Sequence, residues 1–97
     1  MAKENIVTEE EKEALDFSNL ENALQGLTAN DYMSAEKACR AAGDATVEIS
    51  FSSSFRGRLA ASAMKIPYNK IKSLDIKEYT AVTLKVGNFL LGSLAEV

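Results

Sequence analysis

Apolar residues recur at three- and four-residue spacing in four or five segments of this chain, with polar residues between them. That is the pattern of amphipathic helices that each bury one face. The longest segment, residues 75–94, opens with Asp75 and Glu78 at capping-box spacing. A carboxylate at that position accepts a hydrogen bond from an unpaired N–H of the first turn. Tyr79, Val82, Val86 and Phe89 or Leu90 then form one stripe, and Gly92 predicts the stop. A stripe this apolar must be covered, so this helix is expected to be the element on which the others pack.

The earlier segments carry their own start and stop signals. Thr8 with Glu11 predicts a short helix over residues 9–16, which has only Ala14 and Leu15 to bury. So short a helix is marginal alone, and residues 1–14 read as an acidic, mobile arm before a single domain of residues 15–97. Ser18 with Glu21 predicts a helix over 18–25, with Phe17 as a hydrophobic staple and Gly26 as its end. Thr28 with Asp31 opens a helix over 29–42, striped by Tyr32, Ala35, Cys39 and Ala42 and stopped at Gly43. Its small residues predict close packing inside the bundle.

In residues 45–51 the period changes: Val47, Ile49 and Phe51 alternate with polar residues, as in a strand. A lone strand leaves its backbone groups unpaired. The segment is either an extended connection or a strand that pairs with a second subunit, and the connection is preferred. The serines at 52–54 then cap a helix over 53–65, striped by Phe55, Leu59, Ala63 and Ile66. Gly57 weakens it by about 1 kcal/mol relative to alanine. Pro67 ends it and starts a short helix over 68–73 that turns Ile71 and Leu74 inward. The closing helix is expected over 76–91. Together these segments predict an all-α bundle of four to five short helices. Its core is Leu20, Leu24, Leu27, Tyr32, Ala35, Cys39, Phe55, Leu59, Ala63, Ile66, Ile71, Leu74, Tyr79, Val82, Val86, Phe89 and Leu90.

Composition narrows the function classes. The 97 residues include no histidine and one cysteine, Cys39, so the usual zinc sets and nucleophile–histidine pairs cannot be built within one chain. Cys39 reads as a small buried hydrophobe. No intramolecular disulfide is possible, which fits a reducing cytoplasm. No apolar run is long enough to span a membrane, and the first fifteen residues hold no signal-type apolar region. Carboxylate chemistry and Mg²⁺ sites stay open, but no D-x-D or E-x-x-E cluster stands in an apolar setting, and no phosphate-cradling glycine pattern occurs. Neither a cofactor nor a metal is therefore expected, and no residue set supports an enzyme.

The net charge of −3 conceals a segregation. Residues 1–48 carry eleven acids against four bases, whereas residues 49–77 carry six bases against Asp75 alone. The two regions neutralise each other in the folded chain or are simply solvated faces, unless the basic one forms a surface for an acidic partner. In that last case the candidate partner-binding residues are Arg56, Arg58, Lys65, Tyr68 and Lys70. Residues 55–74 have the raw material of a helix-turn-helix, but the turn holds Pro67, the second helix is short and the chain is acidic, all of which disfavours nucleic acid.

The order of the segments resembles the small tail assembly chaperones of long-tailed bacteriophages and prophages. The resemblance rests on Leu27, Thr28, Asp31, Ala35 and Glu36, then Ile66 and Pro67, then Leu74, Tyr79, Val82, Val86, Asn88, Phe89 and Leu90. Glu78 stands where the family has aspartate before the aromatic. The resemblance implies a compact helical, non-enzymatic protein of the bacterial host cytoplasm. It implies binding to the tape measure protein and to tail tube subunits before the tube polymerises, and absence from the finished virion. The apolar C-terminal stripe further predicts a homo-oligomer. The alternatives are a small phage-encoded DNA-binding regulator using residues 55–74, or a minor tail or neck structural subunit.

Overall fold

The computed structural model describes residues 16–96, with side chains through Gly92. The acidic arm and the helix expected over 9–16 fall almost wholly outside these residues. Within them the chain folds as an all-α bundle of five helices: α1 (Leu20–Gln25), α2 (Ala29–Ala41), α3 (Ser53–Met64), α4 (Tyr68–Lys72) and α5 (Ile76–Glu96). A single 3-10 turn, Ile49–Phe51, lies between α2 and α3.

Helix α3, not α5, is the centre of the bundle. It packs against α1, α2, α4, α5 and the 3-10 turn. Its buried residues run almost around its circumference: Phe55, Gly57, Leu59, Ala60 and Ala61. Small side chains make this possible. A Cβ on Gly57 would lie 3.3 Å from Ile71 Cγ2 and from Tyr68 Cε1, and 3.5 Å from Tyr79 Cε1. The glycine expected to weaken the helix is therefore a point where side chains of α4 and α5 pack directly on its backbone. Helix α5 covers one side of α3 with Val82 and Val86, both buried. The Tyr79 hydroxyl donates to the Ser53 carbonyl at 3.0 Å and ties α5 to the start of α3. Helix α2 packs chiefly on α3 and buries only Ala35 and Cys39, so it is an outer helix rather than an interior one.

Every residue on the expected core list is buried or partly buried against the core. Phe17, Ile49, Ala60 and Ala61 join it. Two caps form as expected. Asp31 N–H donates to Thr28 Oγ1 at 3.4 Å while Thr28 N–H donates to Asp31 Oδ2 at 2.8 Å. Glu78 N–H donates to Asp75 Oδ1 at 2.8 Å.

Two helix ends differ from expectation. Helix α1 begins after Asn19, which makes no side-chain cap, and not after Ser18. A turn closed by Leu20 N–H on the Phe17 carbonyl at 3.1 Å shifts the start and lets Phe17 bury its ring. At the other end α5 runs through Gly92 to Glu96. Gly92 keeps a negative φ, unlike Gly43 at φ 98°, and without a left-handed residue the helix continues.

The alternating residues at 45–51 form a connection and no strand. Ile49 is buried, whereas Val47 and Phe51 are 97% and 62% exposed. Side chains satisfy this backbone in place of a sheet partner. Arg40 Nη1 donates to the carbonyls of Asp44 and Thr46 at 3.0 and 2.6 Å. Asp44 Oδ1 accepts from Thr46 N–H and Oγ1–H at 2.9 and 2.6 Å, and its Oδ2 accepts from the Ser52 hydroxyl at 2.5 Å. Ser52 in turn accepts from Phe55 N–H at 3.2 Å, so Asp44 fixes the cap of the central helix.

Two outcomes follow from this packing. Replacing Gly57 by leucine should destabilise the fold by about 1–3 kcal/mol in urea denaturation, because overpacking outweighs the gain in helix propensity. The hydroxyls of Ser52 and Thr46 hold the Asp44 carboxyl down at about 2, below its usual 3.8. A lowered folded-state value stabilises the protein above the unfolded value and ceases to do so as pH falls through the folded one. Urea midpoints measured from pH 5 down to pH 2 should therefore fall, with a shallower decline in Asp44→Asn, which should already be less stable at pH 5. Parallel profiles would remove Asp44 from the account.

Candidate partner-binding surfaces

Two grooves flank α2. The first is basic and lies between α2, the C-terminal half of α3 and the start of α4, with a volume of about 290 Å³. Arg58, Lys65 and Tyr68 line it, together with Ser34, Ala38 and Ser62. The Arg58 guanidinium sits 4.2 Å from the centroid of the Tyr68 ring, a cation–π contact. Lys72 Nζ lies 5.4 Å from the same ring. The Tyr68 hydroxyl and Ser54 Oγ share a hydrogen bond at 3.2 Å, which fixes the ring. Cys39 is fully buried beneath, its sulfur 3.8 Å from the same Ser54 oxygen.

The five basic-face candidates thus divide. Arg58, Lys65 and Tyr68 come together in this groove, and Lys70 lies on α4 outside its lining. Arg56 is elsewhere. Its Nε donates to the Ser50 carbonyl at 2.7 Å, and its guanidinium rests on α5 where a Cβ on Gly87 would be 2.6 Å from Arg56 Cζ. Residues two apart on a helix point about 200° apart, which sends Arg56 and Arg58 to different sides of α3. Lys72 was not among the candidates, although it follows Tyr68 at the four-residue spacing that places it over the ring.

Lys65 adopts a left-handed backbone at φ 60° and closes α3. Ile66 N–H donates back to the Ala61 carbonyl at 3.0 Å, the bond of a left-handed helix terminus. Glycine usually fills that position, since a side chain there costs about 1 kcal/mol.

The second groove is apolar, with a volume of about 360 Å³. Leu24 and Leu27 form one wall, Tyr32 and Met33 of α2 another, and Phe89 and Leu90 of α5 the third, with Leu59 beneath. Met33 is 59% exposed. Tyr32 is held edge-on to Phe55, ring centroids 4.7 Å apart. Burial, then the charges of Glu48 and Glu36, push the Tyr32 hydroxyl above its usual 10. Sequence reasoning placed Leu27, Tyr32, Phe89 and Leu90 in the core. The groove arises because the short α1 leaves their outer edges uncovered.

Among the described residues, no group of three His, Cys, Asp or Glu side chains could hold a metal ion. Among them, too, no helix is long and apolar enough to cross a membrane. No protein-family model matches the chain, and neither a curated protein nor a solved structure does.

Lys65→Gly separates backbone from charge. It should raise stability by up to about 1 kcal/mol in urea denaturation, because the left-handed cost disappears. A loss of stability would mean that the Lys65 side chain supports the fold.

Proposed function

We propose that this chain is a non-enzymatic tail assembly chaperone of a long-tailed phage or prophage, acting in the bacterial cytoplasm. Its partners would be the tape measure protein and tail tube subunits before the tube polymerises. The observation that carries this reading is the apolar groove. Its walls include Leu27 from the first motif segment and Phe89 and Leu90 from the last, the segments on which the resemblance rests. A groove open between three helices suits the apolar edge of an amphipathic helix. A long helical protein would offer many such edges, and many weak contacts give a reversible coat. Met33 at the rim supports this use, since an unbranched thioether adapts to varied partners. Arg56, Arg58, Lys65, Tyr68 and Lys70 are proposed to steer acidic partner segments toward the chain. Self-association through the same apolar face is part of the proposal.

A DNA-binding regulator is less well supported. Helix α4 is five residues long, and Arg56 and Tyr68 are engaged within the fold.

Co-expression with the tape measure protein of a long-tailed phage tests the reading. The intact chain should co-purify with it. Met33→Asp should weaken retention at least ~10-fold, because a carboxylate replaces an apolar contact worth roughly 1.5–3 kcal/mol. Met33 is exposed, so its replacement should leave the fold intact. Unchanged retention, or none with the intact chain, would contradict the proposal.

A further inference from the structure

Helix α5 keeps one flank out of the bundle. At about 100° per residue, Ile76, Thr80, Leu84, Gly87 and Leu91 fall within roughly 80° of one another. None of the five is charged. Ile76 and Leu84 are 83% and 58% exposed. Arg56 marks the edge of this flank: its guanidinium rests on Gly87, and its Nε holds the Ser50 carbonyl of the 3-10 turn. The same turn carries Phe51, which is 62% exposed. Three of the five large hydrophobics exposed among the described residues are thus on this flank or on the turn beside it.

The stripe that predicted self-association lies elsewhere on the helix. Tyr79, Val82, Val86, Phe89 and Leu90 are all buried or partly buried against the core. Phe89 and Leu90, which wall the apolar groove, point about 140° and 120° away from Leu84.

The exposed flank fits a copy of itself. Phe51, Ile76 and Leu84 present on the order of 400 Å² of apolar surface, enough to mark a contact. Laid antiparallel across a two-fold axis at Leu84, the helix sets Leu84 against its copy, Thr80 opposite Gly87 and Ile76 opposite Leu91. An apolar centre depleted of charge is the composition of interfaces between identical chains. Lys77, on the outer side of the helix, would lie about 21 Å from its copy, beyond the screening length at physiological salt. With their rims, two such flanks bury about 1,000 Å², the lower end for a specific interface, so the pairing is weak and its Kd micromolar.

We propose that this flank of α5 is a dimer interface, occupied by the same flank of a second copy running antiparallel about Leu84. It is a closed contact separate from the groove, which stays open in both copies and makes the pair bivalent for a helical partner. The contact itself does not depend on the chaperone reading.

Sedimentation velocity of the full chain from about 10 µM to about 1 mM tests it, across the range where a micromolar Kd changes the species present. Dimer should accumulate as concentration rises. Leu84→Glu should weaken it at least ~10-fold, because a carboxylate enters the centre of an apolar contact. The side chain is exposed, so the fold should survive the change. Met33→Asp, at the groove, should leave the dimer in place. Mild oxidation of single-cysteine additions tests the register, and Cys39, fully buried, stays out of the reaction. Leu84→Cys should cross-link rapidly to its copy, whereas Ile76→Cys, about 24 Å from its own copy, should not. A chain that stays monomeric at about 1 mM has this flank covered by something other than a second copy. That result would overturn the proposal. So would a dimer that survives Leu84→Glu, one that Met33→Asp dissolves, or faster cross-linking through Ile76→Cys.

Discussion

The fold depends on how closely other helices approach α3. Gly57, Ala60 and Ala61 give that helix little thickness, so α4, α5, α2 and α1 can all bury residues against one axis. At Gly57 the spacing leaves almost no room for even a methyl group, with Ile71 and Tyr68 both at 3.3 Å. Phe55 and Leu59 supply the volume that the small residues omit, and both are essentially fully buried. In a domain of this size a single central helix is an economical way to reach native packing density.

That arrangement also explains why α2 is where the surfaces meet. It is anchored by Ala35 and Cys39, with the Arg40–Asp44–Ser52 network holding its exit to the cap of α3. Tyr32 and Met33 project into the apolar groove, while Ser34 and Ala38 line the basic one. One helix therefore separates an uncharged surface from a cationic one. A partner with an amphipathic, acidic helix would meet both across a short distance.

Much of this was legible in the residues. Thr28 with Asp31, and Asp75 with Glu78, announced their helices because capping is a local hydrogen bond set by spacing alone. The core list held for the same reason: a stripe at helical period has one face to bury. The connection preferred for residues 45–51 also formed: their alternation mimics a strand, yet Arg40 and Asp44 pair that backbone and leave only Ile49 to the core. What failed needed tertiary knowledge. Gly57 looked like a weak point because the closeness of α4 and α5 cannot be read from one segment. Arg56 and Arg58 looked like one basic face in the linear sequence, but the helix turns them apart. The groove around Met33 had no signal, since it is the part of the α1–α2–α5 junction that the short α1 leaves open.

The most direct test of the account is hydrogen–deuterium exchange on the full chain, alone and mixed with the tape measure protein proposed as its partner. The account predicts the slowest amides in α3 in both states, because its opening requires the whole bundle to open. It predicts that binding adds protection in residues 27–33 and 86–90, around the apolar groove. Fast exchange in α3, or added protection that avoids both groove segments, would contradict it.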